Sequence, residues 1–363
     1  MHIISTLKKI NKKRNLAQRL FFLNFRAKIF NIFRRKKINF ETVNKIALWV
    51  GKGLGDAVLA SGFISTLRTA GYEVVVLTDK KNSFIFENLI EVDDVIISDK
   101  DSNIENQYDL LIDPYDSSHK VASKIRMLLK MKPKLSMGFN SNLYDINIPY
   151  FEYNSHFTER YEKLFTFLNI EIQKSIEPII NNQVEVENKV KGWIQNIANG
   201  KKIITFCPFA SREIRSFSVK QCEIFLNELS KTDSFKIIML GSAEQLAQIS
   251  ENSSNLFVTD PFCSLASAIA IIKYSNIVVS VDTLFVHISR VYNKKLYALY
   301  NNRVIDGFYE NNFVFSPGYE KAIQFFTDEY TTTALGDDVS KFDINKIIAA
   351  INTESNNMEN INK

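Results

Sequence analysis

Three groups of residues in this 363-residue chain have the types and spacing to do chemistry. The first is Asp56, which ends Gly51-Lys-Gly-Leu-Gly-Asp56 after the apolar run Lys45–Val50. A carboxylate there is either the N-terminal cap of the helix signalled by Val58, Leu59, Phe63, Ile64 and Leu67, or a group aimed at a ligand beyond the strand end. The second is Ser211, Arg212 and Arg215 in Cys207-Pro-Phe-Ala-Ser-Arg-Glu-Ile-Arg-Ser-Phe217. One hydroxyl and two guanidinium forks suit a diphosphate, whose oxygens arginine binds bidentately; the plainer reading is a solvated basic loop. The third is Val279-Ser-Val-Asp282-Thr-Leu-Phe-Val-His287, which puts Asp282 and Thr283 at a strand end and a helix start. Backbone N–H groups attract anions there. Plain N-caps and a packed histidine explain the same residues.

Two familiar glycine motifs do not fit the first group. In G-x-G-x-x-G begun at Gly51 or Gly53, the third glycine falls on Asp56 or Val58, and Gly51-Lys52-Gly53 lacks the hydroxyl and upstream glycine of a P-loop.

The elements that must carry these groups alternate. Strands are predicted at Lys45–Val50, Glu73–Thr78, Asp94–Ile97, Tyr108–Asp113 and Leu135–Phe139, with helices near Phe84–Leu89, Lys120–Lys130 and Tyr161–Leu168. After a linker at Asn169–Ile180 a second series runs: helix Val184–Ala198, strand Lys201–Cys207, helix Val219–Leu229, strand Phe235–Leu240, helix Leu265–Lys273, strand Asn276–Ser280, helix Leu284–Tyr292 and strand Lys295–Tyr300. A late helix is expected at Asp343–Ile351. Two such series predict two doubly wound α/β domains facing a cleft, with the three groups just past strand ends. The expected divisions are an arm at 1–40, domains at 41–175 and 176–335, and a C-terminal helix and tail at 336–363.

Composition is globular, at 45% hydrophobic and 23% charged. Cys207, Cys222 and Cys263 sit singly in apolar surroundings without ligand spacing and read as packing residues of a reducing compartment. The net charge of +5 conceals a split: residues 1–40 hold twelve Lys and Arg and no acid, and the remainder carries a net −7. Within the arm Leu16, Leu20, Leu23, Ala27 and Phe30 share a helical face, widened by Phe21, Phe22, Phe25, Ile29, Ile32 and Phe33 and interspersed with basic residues. No stretch approaches the roughly 20 apolar residues of a membrane span. No small-residue cleavage site follows an apolar core. The pattern predicts an amphipathic helix lying on an anionic membrane surface rather than on nucleic acid.

Four motifs in order resemble glycosyltransferase family 9, the lipopolysaccharide heptosyltransferase family, over roughly residues 44–335. They are the strand Ile46–Val50 with Gly55-Asp56, His156-Phe-Thr-Glu-Arg-Tyr161, Phe209-Ala-Ser-Arg-Glu-Ile-Arg-Ser-Phe217 and Asp282-Thr-Leu-Phe-Val-His287. The resemblance implies a GT-B fold, with two Rossmann-like domains. It also implies inverting transfer from a nucleotide sugar onto a glycolipid without a metal or other cofactor. Asp56 would be the general base. Ser211, Arg212, Arg215, Asp282, Thr283 and His287 would bind the donor, with Arg212 and Arg215 on its diphosphate. Gly55, Lys80, Lys81, Lys120, Lys124 and Arg126 would face an anionic acceptor such as an inner-core lipopolysaccharide. Asp99-Lys-Asp101, formally a metal-binding D-x-D, reads as coincidence in a polar loop. The expected location is cytoplasmic, on the inner face of the membrane.

The chain departs from the family pattern on its donor half. Leu284 replaces a glycine, Pro208-Phe209 replace small residues, and Tyr300-Asn-Asn-Arg303 stands for Phe-Gly-Pro-Thr. These changes leave room for a different nucleotide sugar, for a 2-epimerase of the same fold, or for a catalytically lapsed glycolipid-binding protein.

Overall fold

Apolar strands flanked by helices lose both faces to packing, and that is how the chain organises itself. In the computed structural model, Ile46, Ala47 and Leu48 are fully buried, as are Val278 and Val279. Continuous apolar runs of this kind are the mark of parallel sheets covered on both sides. The structure describes Arg14, Asn15, Gln18, Phe21, Phe22, Phe25, Arg26 and Ile29, then residues 42–361 apart from 52, 98–106, 116–120, 153–154, 172–175, 250, 306–308 and 329–335.

The chain divides into two units: residues 1–152 with 160–176, and residues 153–159 with 177–363. The first contains β1 (Lys45–Trp49), α1 (Leu54–Thr69), β2 (Glu73–Thr78), α2 (Lys80–Glu87), β3 (Asp94–Ile97), β4 (Leu110–Asp113), α3 (Val121–Met131), β5 (Leu135–Phe139), β6 (Ile146–Ile148) and most of α4 (Thr158–Phe167). Its six strands are all parallel, in the order β3-β2-β1-β4-β5-β6. This is a doubly wound order, and its direction reverses between β1 and β4, where such sheets open a crevice at their carboxyl ends. One core cluster packs Ala47, Val75 and Leu111 against Ile125, Leu128 and Met131 of α3.

The second unit contains α5 (Val184–Ala198), β7 (Lys202–Cys207), α6 (Val219–Ser230), β8 (Phe235–Met239), α7 (Ala243–Leu246), α8 (Glu251–Ser254), β9 (Val258–Thr259), α9 (Leu265–Tyr274), β10 (Ile277–Val281), α10 (Leu284–Val291), β11 (Lys295–Tyr300), the ribbon β12 (Val304–Ile305) and β13 (Tyr309–Glu310), α11 (Asn311–Val314), β14 (Ala322–Phe326) and α12 (Asn345–Ile361). Its parallel sheet, β14-β11-β10-β7-β8-β9, repeats the doubly wound order, and here the reversal falls between β7 and β10. Ile347, Ile348 and Ile351 of α12 enter the same core as Phe206, Phe225 and Leu226, so the late helix is part of this unit.

Sequence periodicity did not show β6, β9, the β12–β13 ribbon or β14. Four of these five strands are only two or three residues long, too short to carry a period. Cys207 and Cys222 are buried as expected, but Cys263 is exposed, in a turn at φ +49°.

In the arm, the described residues are helical and exposed, with Phe21, Phe22 and Phe25 each more than half accessible. The stripe Leu16, Leu20, Leu23, Ala27 and Phe30 lies outside the described residues, as do Ile32, Phe33, Asp99-Lys-Asp101 and Lys120. Among the described residues no helix is long and apolar enough to cross a membrane.

Candidate functional site

The turn after β1 is built to hold Asp56. Gly53, at φ −80° and ψ 130°, is the N-cap of α1, and Asp56 lies in the first helical turn. The carboxylate is therefore not the cap. A Cβ on Gly53 would come within 2.7 Å of Asp56 Oδ2, and one on Gly51 within 3.1 Å. The side chain thus folds back over the two glycines, whose missing side chains make its space. The turn itself is pinned by residues that follow the two strands flanking β1. The Gly51 N–H donates to Tyr115 Oη at 2.8 Å, past the end of β4. Buried Asn82 of α2 donates to the carbonyls of Gly51 at 2.5 Å and Gly53 at 3.2 Å. Burial first, and the nearby Asp56 charge second, push the Tyr115 and Tyr161 phenols well above their ordinary value, so both stay protonated beside the carboxylate. The helix N-terminus favours the negative charge at Asp56.

Gly55 lies in the first turn of α1, and Lys80 and Lys81 are exposed at the start of α2. Arg126 is exposed on α3. Lys124 is a correction to the basic acceptor face. Its side chain is 1% exposed; Nζ lies 2.9 Å from Asp113 Oδ2 and donates to the Tyr115 carbonyl at 3.0 Å. The Tyr144 hydroxyl donates to the same Asp113 oxygen. A buried ammonium is tolerable only when paired and hydrogen-bonded in this way. Lys124 therefore supports the wall behind Tyr115 and does not face an acceptor.

In the second unit, β7 and β10 are adjacent, with Cys207 opposite Ser280. The loops that follow them meet at the sheet's reversal point, which brings Arg215 to Asp282. Arg215 Nη2 donates to the Asp282 carbonyl at 2.7 Å and to Oδ2 at 3.0 Å. Arg303 Nη2 and Asn311 Nδ2 each reach the same Oδ2 at 3.2 Å. Burial pushes the Asp282 carboxyl up, but Arg215, then Arg303, Asn311 and His287 outweigh it and hold the group below the usual carboxylate range. Thr283 is the N-cap of α10, accepting from Phe285 N–H at 3.4 Å. Ser211 and Arg212 are exposed on the loop before Arg215 and are not part of the Asp282 cluster. His287 is 3% exposed, and among the described residues its Nδ1 has no hydrogen-bond partner. Burial first, then His156, lower its pKa to about 4, so it is neutral at pH 7.

Beside this cluster, beyond the carboxyl ends of β7, β8 and β9, lies a cavity of about 720 Å³. Phe209, Leu240, Gly241, Leu246, Leu265 and Phe285 are among its lining residues. A Cβ on Gly241 would fall 2.7 Å from the Phe209 ring, so this phenylalanine forms a wall of the cavity against the turn after β8. Mostly apolar walls of this size, with a few polar groups at one end, are the usual form of a small-molecule site.

Sequence reasoning did not assign Tyr115, Asn82, Arg303, Asn311 or the cavity to the site. Tyr115 was recoverable, because it follows a predicted strand next to the reversal point. Arg303 and Asn311 gave no local signal; they matter only through their reach to Asp282.

Residues 102–307, more than half of the chain, match the model of glycosyltransferase family 9 (heptosyltransferase). The Escherichia coli K12 protein named "Putative lipopolysaccharide heptosyltransferase 4" is 24% identical over 77% of this chain and 80% of its own length. A family 9 glycosyltransferase structure from Veillonella parvula DSM 2008 superposes with a TM-score of 0.67 at 14% identity, covering 85% of this chain and 96% of that one. The Escherichia coli ADP-heptose lipopolysaccharide heptosyltransferase II gives 0.64 at 16%, covering 85% and 98%. At such identities the structures speak for the fold, the two α/β domains of GT-B enzymes. The family match over residues 102–307 supplies the rest: this chain belongs to glycosyltransferase family 9, and it is a glycosyltransferase.

Proposed function

We propose that the chain transfers a heptose, with inversion, from ADP-heptose to a lipopolysaccharide-core acceptor. The observation that carries this reading is the Arg215–Asp282–Arg303 cluster at the reversal point of the second sheet, beside an apolar cavity large enough for a nucleobase. The names of the relatives supply the sugar and the nucleotide.

In this mechanism Asp56 accepts the proton of the acceptor hydroxyl as that oxygen attacks the anomeric carbon. The bond from that carbon to the diphosphate breaks as the new glycosidic bond forms. Charge gathering on the departing diphosphate is met by Arg215 and by the N-terminus of α10, already oriented before reaction. Adenine occupies the cavity. Asp282 is an acceptor for sugar hydroxyls, and neutral His287 adds no charge next to them. Arginine and helix N–H groups can stabilise this leaving group without a metal. Lys80, Lys81 and Arg126 remain the candidates for an anionic acceptor.

The test is a thermal-shift and turnover pair on the full chain. ADP-heptose at a hundred times its dissociation constant raises stability by about 2.7 kcal/mol. Addition of a lipopolysaccharide-core acceptor then releases ADP. A shift with a uridine sugar and none with ADP-heptose replaces the donor. Binding without ADP release favours the lapsed, glycolipid-binding reading, to which Leu284 at the first position of α10 lends support.

The arm is read as a membrane contact. Exposed Phe21, Phe22, Phe25 and Ile29 on a helix within a segment of twelve basic residues suit an anionic lipid surface. Full-length protein is expected to sediment with phosphatidylglycerol-containing vesicles and a chain lacking residues 1–38 to stay in the supernatant. Equal sedimentation of both removes this role.

A further inference from the structure

Residues 153–159 follow β6 and precede the bulk of α4, both in the first unit, yet they belong to the second. What they do there is specific. His156 Nε2 lies 3.1 Å from the Ser316 carbonyl, which can only accept, so this nitrogen carries the proton. Its Nδ1 is then the acceptor for the Thr158 hydroxyl at 2.7 Å. The Phe157 N–H donates to the Val314 carbonyl at 2.9 Å, and its ring stacks on Phe315 at 5.6 Å. The segment thus holds residues 314–316, the end of the short helix α11. Gly318, at φ +67°, closes the contact: a Cβ there would meet Arg290 Nη1 at 2.7 Å and His156 Nε2 at 3.2 Å.

The other end of α11 is Asn311, which is fully buried. Its side-chain carbonyl accepts the Arg303 N–H at 3.0 Å, while its amide donates to Asp282 Oδ2. Arg215, Arg303 and Asn311 all donate to that one oxygen; among the described residues Oδ1 accepts no hydrogen bond. The carboxylate is consequently fixed in rotation, with one oxygen saturated and the other available to a ligand hydroxyl.

We propose that His156, Phe157 and Asn311 are positioning residues for the donor sugar, forming a relay in which the 153–159 segment seats α11 so that Asn311 locks the Asp282 carboxylate. The inference rests on the reading of Asp282 as the group that meets the sugar. It concerns residues that touch neither donor nor acceptor. It also explains why a piece of chain between two elements of the first unit is built into the second.

Calorimetric titration of the full chain with ADP and with ADP-heptose tests it. Asn311→Ala and His156→Ala are each expected to weaken ADP-heptose about tenfold, the loss of one oriented hydrogen bond, while ADP changes by less than about twofold. The double variant is expected to match the weaker single variant, because both act on one oxygen. His156→Gln, which keeps an N–H toward Ser316, is expected to restore binding. Unchanged ADP-heptose affinity in Asn311→Ala overturns the proposal, and so do equal losses for ADP and ADP-heptose or additive effects in the double variant. A wild type that binds neither ligand overturns the donor-site reading and the relay with it. A wild type that binds both, with variants that track it, overturns the relay alone.

Discussion

Asp56→Asn is expected to lower the turnover number for sugar transfer by about 10²–10⁴-fold, the usual contribution of a positioned general base. The substitution is chosen for its shape. Asp56 folds back over Gly51 and Gly53, where a Cβ would come within 3.1 and 2.7 Å of its Oδ2, and the amide occupies the same volume as the carboxylate. It cannot take a proton from an attacking hydroxyl. Donor affinity is expected to stay within about twofold, because the donor cluster is built from residues 215, 282, 303 and 311, none of them in the β1 turn. Single-turnover rates at saturating donor and acceptor separate the two effects: the chemical step falls and the dissociation constants do not. Turnover within tenfold of wild type would remove Asp56 from the role of base. The two neighbouring phenols do not rescue it, since burial keeps Tyr115 and Tyr161 protonated.

Acid is expected to unfold the protein through His156 and His287 before most carboxylates titrate. Both have pKa values lowered from the ordinary 6.5 to about 4. For His156 burial is the main cause and the Arg290 guanidinium the next, opposed by the bond to the Ser316 carbonyl and by Glu177. For His287 burial leads, followed by His156, with Asp282 pulling the other way. Between pH 6.5 and 4 the unfolded chain therefore binds protons that the folded chain refuses. Stability is complete above about 6.5 and falls as pH drops through this window, by about 3 kcal/mol for each histidine. Urea unfolding from pH 7 to pH 4 measures the slope, and His156→Gln with His287→Gln is expected to flatten it. A slope unchanged in the double variant assigns the acid loss elsewhere. Asp282 acts at lower pH: its carboxyl is held below the usual range, so its contribution is lost only as pH falls through that depressed value.

The elements were largely legible because they are long and strongly patterned. Glu73–Thr78, Leu135–Phe139, Val184–Ala198 and Lys295–Tyr300 stand in the structure with the bounds their apolar runs predict. Other boundaries moved for local reasons. The helix expected at Phe84–Leu89 begins at Lys80, because Asp79 caps it by accepting the Asn82 N–H. The helix expected from Tyr161 begins at Thr158, where the chain changes unit within the first turn. Polar first turns are invisible to a search for apolar periodicity.

The site divides in the same way. By itself the sequence placed Asp56, Arg215 and Asp282 just past strand ends, because a strand end is marked locally, by an apolar run meeting glycine, proline or a polar cap. Its motifs were also enough to point to the family. Only the tertiary structure decided that β7 lies against β10, which joins Arg215 to Asp282 across 67 residues. It also turned Lys124 inward onto Asp113, brought Arg303 and Asn311 to a carboxylate they do not neighbour in sequence, and gave His156 to the second unit. Hydrophobic period and turn chemistry act over a few residues, whereas strand order and the burial of a long side chain's charged end are settled when distant segments pack together.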